Sequence, residues 1–459
     1  MTDEAHAEHL EHTRKVKSLV RNAASLVSSS VVTSGLGFVY WTVAARTFPA
    51  RDVGQSATAI SAMSLIAQFT VLGFGTALVS KLPKMSGGRA RLVSTVALVC
   101  AVVGATVAVV AGVLLPDSFM GIPGIGHEVI PTLLFAGGVG AHSVAMMLDS
   151  ALLSVAGGGV QLARNVLNAV GKLMLLVVFA YTISRYGSLS IYASWFVATV
   201  GSIVAVGVWL LWKYRVPVGG LWPRFSVLRG LHFHAAKHHA LNLSLTAPFF
   251  AMPIVANVIL GSEQAGYLYA TWSLAGFVFV LPIAMSMALF ASGARNSGTI
   301  LKEFRFTLRK SMAATVGANL LILPLGGVAL GVFGPAYVEN GRTALIILCV
   351  GGLGLVIRDH HVAVARITGH VGREALLMSV LGAAELTGAA IGASRGGLVG
   401  LSLGWLAVVA LEVVVCTPLV VRAYRGRVDV ARRAERGGPA DLTDSGQGTS
   451  RAPEGDVQR

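Results

Sequence analysis

Twelve apolar stretches constrain the fold of this 459-residue chain more than any other feature of its sequence. A helix needs about 20 mostly apolar residues to cross the hydrocarbon core of a membrane. Charged residues make up only 12% of the chain, against about 25% in an ordinary soluble domain. We therefore predict an all-α polytopic membrane protein. Its spans, numbered 1 to 12, are 22–45, 55–80, 92–115, 131–156, 161–183, 190–212, 239–260, 266–291, 311–334, 343–365, 374–393 and 397–421.

The basic residues predict how these spans are oriented. A net charge of +15 would suggest a nucleic-acid partner for a soluble protein. If both termini are cytoplasmic, 27 of the 36 Lys and Arg residues lie on cytoplasmic segments and 5 lie on outside loops. Basic residues are enriched on the cytoplasmic side of membrane proteins. The charge therefore predicts a topology with both termini inside, and no nucleic-acid partner.

The spans predict two lobes of six helices. An offset of 212 residues aligns three pairs of small residues: Gly54 with Gly266, Ser61 with Ser273, and Ser80 with Ser292. Both lobes begin inside and contain an even number of spans, so they form a parallel repeat about an axis along the membrane normal. The predicted parts are a basic cytoplasmic head (1–21), an N-lobe (22–212), a cytoplasmic inter-lobe loop (213–238), a C-lobe (239–421) and a disordered cytoplasmic tail (422–459).

Span 5 carries a polar stripe. At 100° per residue, five polar side chains fall on one face of the helix: Gln161, Arg164, Asn165, Asn168 and Lys172. Two cations and three amides on one face suit a bound polyanion. The alternative is that Arg164 lies at the water boundary and that Lys172 extends back towards it. The sequence leaves both interpretations open.

Four further ionisable residues inside the spans are candidates for ion coupling: Asp149, Asp359, His361 and Glu385. Ionisable groups in hydrocarbon usually face a bundle interior or a cavity, and often serve transport. A role as structural partners is the alternative for each. The three cysteines show no metal-ligand spacing, so we expect neither a metal site nor a cofactor.

Helix-breaking residues indicate hinges at the first span of each lobe. Gly35 and Gly37 lie in span 1, and Pro248 and Pro253 lie in span 7. A proline inside a helix removes a hydrogen bond and kinks the helix. Such kinks would act as hinges in alternating access. The alternative is that these residues only allow close, static packing of helices.

Catalytic signatures are absent from the sequence. It contains no GxxxxGK[ST], HExxH or GxSxG motif, so it has no ATP-binding loop or recognisable hydrolase centre. The outside loops are short, which argues against a glycan polymerase or ligase. We therefore expect a transporter rather than an enzyme.

Several segments together carry a family resemblance. RNAASLVSSSVVTSGLGFVYWTVAARTF forms the first span after a basic head, Gly54 follows a short outside turn, and QLARNVLNAVGKLMLLV forms span 5. With twelve spans in two parallel lobes, residues 20–425 resemble the polysaccharide (O-antigen-type) flippases. These belong to the multidrug/oligosaccharidyl-lipid/polysaccharide (MOP) exporter superfamily, which has a MATE-like fold.

The resemblance implies a function in cell-envelope polysaccharide synthesis, such as that of lipopolysaccharide or exopolysaccharide. Flippases of this family move a polyprenyl-pyrophosphate-linked oligosaccharide from the inner to the outer leaflet by alternating access. The bacterial cytoplasmic membrane is the implied location. Bilayer lipids, a polysaccharide polymerase and glycosyltransferases are the implied partners. The pyrophosphate would lie in a cationic cavity that includes Arg164, Lys172, Arg21, Lys81 and Arg358.

Two other functions remain open. A cation-coupled multidrug exporter of the MATE type tends to carry a carboxylate in its early spans. Spans 1, 2, 7 and 8 contain no Asp or Glu, which disfavours this alternative. A non-transporting scaffold of an envelope-synthesis complex is the second alternative, permitted by the long inter-lobe loop and the tail.

Overall fold

The computed structural model describes residues 33–71, 73–230, 236–293 and 300–426. This part of the chain contains α-helices and short 3-10 turns but no β-strand, which confirms the predicted all-α class. The helices are α1 (33–47), α2 (Ala50–Thr70), α3 (Phe74–Lys81), α4 (Arg89–Leu114), α5 (Asp117–Met120), α6 (Val129–Val155), α7 (Gly158–Thr182), α8 (Ser188–Lys213), α9 (Ala236–Leu260), α10 (Ser262–Gly293), α11 (Ile300–Gly331), α12 (Pro335–Ile367) and α13 (Val371–Tyr424).

The described helices account for eleven of the twelve predicted spans and for part of the first. Within the described residues, nine helices are long and apolar enough to cross a membrane. The pair α2 and α3, which bends by 52°, passes the same test when its two helices are taken together. α13 contains 54 residues, which at about 1.5 Å per residue is more than twice the thickness of a hydrocarbon core, so it supplies two spans. α1 (33–47) belongs to predicted span 1, whose first residues (22–32) lie outside the described residues.

α13 is a helical hairpin with its turn at Gly396 and Gly397. Gly397 has φ 59° and ψ −142°, a conformation that glycine adopts without steric cost. The two halves, α13a (371–395) and α13b (398–424), pack against each other at facing glycines whose backbones leave no room for a Cβ atom. These glycines are Gly388, Gly392, Gly400 and Gly404. Such small-residue contacts let membrane helices approach closely.

Most helices begin a few residues earlier than the sequence predicts, and two begin two turns or more earlier. α11 starts at Ile300 rather than 311, and α12 starts at Pro335 rather than 343. Hydropathy locates only the apolar part of a span. A helix that continues into water keeps its backbone hydrogen bonds, so residues such as Lys302 and Arg305 extend α11 without an apolar signal.

We name the two ends of the bundle after the predicted topology. The outer end carries the connections 48–49, 121–128, 183–187 and 332–334 together with the turn of α13. The inner end carries the connections 82–88, 156–157, 214–230 and 368–370.

The predicted hinges lie within continuous helices. Gly35 and Gly37 are helical residues of α1, and Pro248 and Pro253 lie inside α9. The ring of Pro248 packs where a Cβ atom on Gly382 of α13a would lie. Their hinge function stays a prediction. Residues 1–21 and most of 422–459 lie outside the described residues.

The internal repeat places equivalent glycines in contact. A Cβ atom on Gly54 of α2 would meet the carbonyl oxygen of Ser262 on α10, and one on Gly266 of α10 would meet the carbonyl oxygen of Ala50 on α2. Ala50 and Ser262 are equivalent at the offset of 212. A reciprocal contact of this kind arises where two related units meet on a two-fold axis.

Other contacts between the two halves of the chain also lie at the outer end. The rings of Trp41 on α1 and Tyr269 on α10 have centroids 4.4 Å apart. Arg46 donates a hydrogen bond of 2.6 Å from Nη2 to the carbonyl oxygen of Gly331 at the end of α11. Together with the glycine contact, they close the outer end between the two halves.

We predict that Gly54→Ala lowers the free energy of unfolding in detergent by about 1–3 kcal/mol, the usual cost of overpacking. The added methyl group would collide with the backbone of Ser262. Gly276→Ala is the matched control, because no atom lies within 4 Å of a Cβ atom at Gly276 on the partner helix α10. Equal thermal unfolding midpoints for the two variants would contradict the contact.

Candidate functional site

The polar stripe of span 5 faces the interior of the bundle. On α7, the side chains of Arg164 and Lys172 are only 3% and 8% exposed. Apolar residues of the same helix face outwards, with Leu167 46% and Met174 65% exposed. The helix therefore presents its charged side to protein and its apolar side to the membrane.

Arg164 forms an ion pair with Asp149 of α6. Its Nε and Nη2 atoms donate to the two carboxylate oxygens at 2.9 and 2.8 Å, a bidentate geometry that favours both affinity and orientation. Nη2 also donates to Oδ1 of Asn165. The pair joins α6 to α7, and the Asp149 carboxylate offsets the positive charge of Arg164.

Lys172 has a different environment. Its Nζ atom lies 3.8 Å from the centroid of the Trp195 ring and 5.4 Å from that of Tyr40. A cation over an aromatic face is stabilised by the ring quadrupole. Trp195 lies near the outer start of α8, so the ammonium group points away from the inner end rather than back towards Arg164.

The Lys172 pocket contains donors without strong acceptors. Among the described residues, no carboxylate lies within 4.0 Å of the Lys172 ammonium group. The indole Nε1 atom of Trp195 is buried and faces the hydroxyl group of Tyr40 without reaching good hydrogen-bond geometry in the described part of the chain. Buried donors are normally well paired. An ammonium group without a carboxylate and an indole N–H with only a weak acceptor make a site suited to an anion.

The remaining residues of the predicted substrate site are more scattered. Asn168 accepts a hydrogen bond of 3.5 Å from Thr199. The Oε1 atom of Gln161 is buried without a partner in the described residues. Lys81 lies in the last turn of α3 at the inner end, and Arg21 lies outside the described residues.

Arg358 of α12 lies among carboxylates in the second half of the chain. Its Nη1 atom is 3.2 Å from Glu385 of α13a and 3.6 Å from Glu412 of α13b, and its Nε atom is 3.3 Å from Asp359. Trp405 donates a 2.6 Å hydrogen bond from Nε1 to Glu385. One guanidinium group thus faces three carboxyl groups, which we call the acidic cluster.

The acidic cluster has unused binding capacity. Oδ2 of Asp359 and Oε2 of Glu412 are buried without a hydrogen-bond donor among the described residues. Glu412 is only 1% exposed. A cavity of about 190 Å³ between α9, α10 and α12 is lined by Arg358, Asp359 and Arg366. Because isolated buried charge is costly, the cluster requires a proton or a cation in addition to Arg358.

His361 does not join the acidic cluster. Its Nε2 atom is 3.1 Å from Glu374 of α13a, and its Nδ1 atom is 3.2 Å from the carbonyl oxygen of Cys416 of α13b. The histidine therefore ties α12 to both halves of the hairpin.

The two halves of the repeat carry opposite charge on equivalent helices. Trp195 and Trp405 are 210 residues apart, and Lys172 and Glu385 are 213 residues apart, so both pairs match the glycine offset of 212 only approximately. The first packs on the ammonium group of Lys172, and the second donates to the carboxylate of Glu385. Sequence reasoning identified Lys172 and Glu385 but did not pair them with these tryptophans. One sequence signal was available: Trp195 and Trp405 are separated by 210 residues, as are Asp149 and Asp359.

No protein-family model and no curated protein matches the sequence. Solved structures do match. An inward-facing multidrug-resistance MATE family transporter of the MOP superfamily aligns with a TM-score of 0.64 and 16% identity, over 86% of this chain and 96% of that one. An outward-facing MATE family transporter aligns with a TM-score of 0.60 and 14% identity, over 91% of this chain and 96% of that one. The chain therefore has the MATE fold.

A third solved structure that matches is described by the polarity of its binding pocket. A MOP superfamily transporter from Pyrococcus furiosus, described as having a binding pocket of reverse polarity that suggests a different function, aligns with a TM-score of 0.62 and 13% identity. The alignment covers 91% of this chain and 96% of that one. At these identities the likeness establishes the MATE fold alone.

We predict that Asp149 and Arg164 are energetically coupled. In a double-mutant cycle with Asp149→Asn and Arg164→Gln, the double variant should be about 2 kcal/mol more stable than the sum of the single effects, as for members of one ion pair. Unfolding in detergent measures this coupling. Asp149→Asn combined with Lys213→Gln is the control and should be additive, because Lys213 stacks on Trp209 and Tyr214 instead. Additive effects in the first cycle would contradict the pair.

Proposed function

We propose that this protein is a flippase that moves a polyprenyl-pyrophosphate-linked oligosaccharide from the inner to the outer leaflet of a bacterial cytoplasmic membrane. The environment of Lys172 carries the proposal, because a buried ammonium group without a carboxylate partner needs an anion. The MATE fold and the resemblance of the span sequences to polysaccharide flippases support it. Both termini would be cytoplasmic. A polysaccharide polymerase and glycosyltransferases would be its partners.

The pyrophosphate would bind at Lys172 and Trp195. A phosphate oxygen can accept from the ammonium group and from the indole N–H at the same time, and charge-assisted hydrogen bonds of this kind are strong. Gln161, Asn165 and Asn168 line the same face of α7 towards the inner end, so they would guide the headgroup towards Lys172. Arg164, held by Asp149, would fix α6 and α7 around this path.

Alternating access would use the contacts at the outer end. Gly54, Gly266 and the Trp41–Tyr269 pair hold that end closed, so these contacts would have to separate for release to the outer leaflet. Lys172 lies near the aromatic contacts, since Tyr40 is next to Trp41 on α1. An anion that draws Lys172 off the Tyr40 ring would loosen α1 and favour opening.

The acidic cluster would couple transport to an ion gradient. Asp359, Glu385 and Glu412 exceed the charge of Arg358 by two, so the cluster would bind protons. Asp149 and His361 are engaged with Arg164 and Glu374. We therefore assign coupling first to Asp359 and Glu385, with Glu412 added from the structure.

Binding of undecaprenyl pyrophosphate tests the substrate site. We predict that the purified protein binds this lipid, and that Lys172→Gln weakens the binding at least about tenfold, the effect of one lost charge-assisted hydrogen bond. The Kd can be measured by native mass spectrometry. Undecaprenol, which lacks the phosphates, should bind the wild type and the variant equally.

Lys213→Gln is the matched control for Lys172→Gln. Lys213 also lies over aromatic rings, those of Trp209 and Tyr214, but at the inner end of α8 rather than beside the stripe on α7. It should leave the Kd unchanged. Unaltered binding by Lys172→Gln would overturn the site.

Gradient-driven translocation tests the coupling. In proteoliposomes, the rate at which fluorescent undecaprenyl pyrophosphate becomes accessible to an external quencher should rise when a pH gradient is imposed. Glu385→Gln and Glu412→Gln should remove this stimulation. Glu339→Gln should keep it, because Glu339 is exposed at the outer end of α12. Stimulation that survives in both cluster variants would contradict the assignment.

A multidrug exporter is the second candidate function, favoured by the same acidic cluster. Trp405, which donates to Glu385, packs against two further rings: its centroid lies 5.5 Å from that of Trp272 and 5.7 Å from that of Phe279. Carboxylates with aromatic faces suit organic cations. Efflux of ethidium that depends on Glu385 but not on Lys172 would favour the exporter over the flippase.

A further inference from the structure

Two helix ends meet at the inner end of the bundle and carry a dense positive charge. They are the start of α11 (300–310) and the end of α13b (418–426). Within these stretches a single carboxylate, Glu303, stands against six exposed basic residues. The basic residues are Lys302, Arg305, Arg309, Lys310, Arg422 and Arg425.

Tyr424 orders two of these cations. Arg305 donates a 2.9 Å hydrogen bond from Nε to the carbonyl oxygen of Tyr424. Arg309 donates from Nε and Nη2 to the phenolic oxygen of the same residue. Both guanidinium groups lie near the Tyr424 ring, with Cζ atoms 5.3 and 5.6 Å from its centroid. The two arginines are therefore held side by side against one tyrosine while their side chains stay exposed to solvent.

The guanidinium groups keep donors available. Neither Arg305 nor Arg309 forms an ion pair with a carboxylate of the described residues. In the same part of the chain, the Nη atoms of Arg305 have no acceptor. A guanidinium group presents donors in a planar fork that matches two oxygens of a phosphate. Two guanidinium groups that are held in place and have no carboxylate partner among the described residues make a phosphate site.

Along the membrane normal, this site lies at the depth of the lipid headgroups. Span 9 begins at 311 and span 12 ends at 421, so Arg305, Arg309 and Tyr424 lie within about 10 Å of the hydrocarbon edge at helical rise. Phe306 next to them is 58% exposed, as expected of a side chain that contacts acyl chains. A phosphate that reaches these arginines therefore comes with a lipid attached.

We propose that Arg305, Arg309 and Tyr424 form a binding site for an anionic phospholipid of the inner leaflet. The phosphodiester would accept from both guanidinium groups, and the acyl chains would lie along Phe306. Basic sites between membrane helices on the cytoplasmic side bind anionic headgroups in this way. The bound lipid would bridge α11 and α13b. This site lies in the C-lobe, apart from Lys172, and does not depend on the flippase proposal.

Lipid retention tests the proposal. The purified full chain is titrated with phosphatidylglycerol in detergent, and bound lipid is counted by native mass spectrometry. The wild type should bind one phosphatidylglycerol at least about tenfold more tightly than Arg305→Gln/Arg309→Gln, given the strength of charge-assisted hydrogen bonds. Phosphatidylcholine, whose phosphate carries a choline cation, and inorganic phosphate alone should bind the two proteins equally weakly.

Lys302→Gln/Arg422→Gln is the matched control, since Lys310 lies over the Phe306 ring. It removes the same charge from the same two helix ends but leaves Tyr424 and its two arginines in place, so it should keep most of the affinity. An equal loss of lipid affinity in the two double variants would show that surface charge alone causes the effect, and it would overturn the site. Tight binding of inorganic phosphate would overturn the lipid assignment.

Tyr424→Phe separates ordering of the arginines from their charge, and it guards against misfolding of the double variant. It keeps the ring and all six cations but removes the acceptor of Arg309. We expect a loss of affinity of a few-fold with an unchanged unfolding temperature in the absence of lipid. Full affinity in Tyr424→Phe would contradict the ordering role.

Discussion

Burial of charge in a membrane governs this structure. An ionised group deep in a helical bundle must find an opposite charge, a ring face or a ligand. Arg164 pairs with Asp149, and Arg358 contacts three carboxylates. In the part of the chain that the structure describes, Lys172 contacts only aromatic rings. The difference between Arg164 and Lys172, which lie on one helix face, separates a structural ion pair from a candidate binding group.

The two halves of the repeat use one framework for opposite charges. Each places a tryptophan from its last span beside an ionisable group on its fifth span, a lysine in the first half and a glutamate in the second. The contact between Gly54 and Gly266 joins the halves at the outer end. An anionic substrate on one side and a coupling cation on the other would then act on the same interface between the halves.

Much of the fold follows from the sequence, because apolar length and the distribution of basic residues directly reflect the membrane. The twelve spans and the equivalence of Gly54 and Gly266 are examples. Helix ends such as Ile300 could not be located, since a helix that leaves the membrane carries no apolar signal. The partners of Lys172 and Glu385 were missed as well, because Trp195 and Trp405 approach them only through tertiary packing and recur in the sequence without marking which residue they contact.

The central claim is that the substrate anion binds in the first half of the repeat, at Lys172. A cryo-electron microscopy map of the purified protein with undecaprenyl pyrophosphate tests it most directly. The account predicts pyrophosphate density between α1, α7 and α8, within hydrogen-bond distance of Lys172 Nζ and Trp195 Nε1. Headgroup density confined to the second half, beside Arg358 or Arg366, would contradict it.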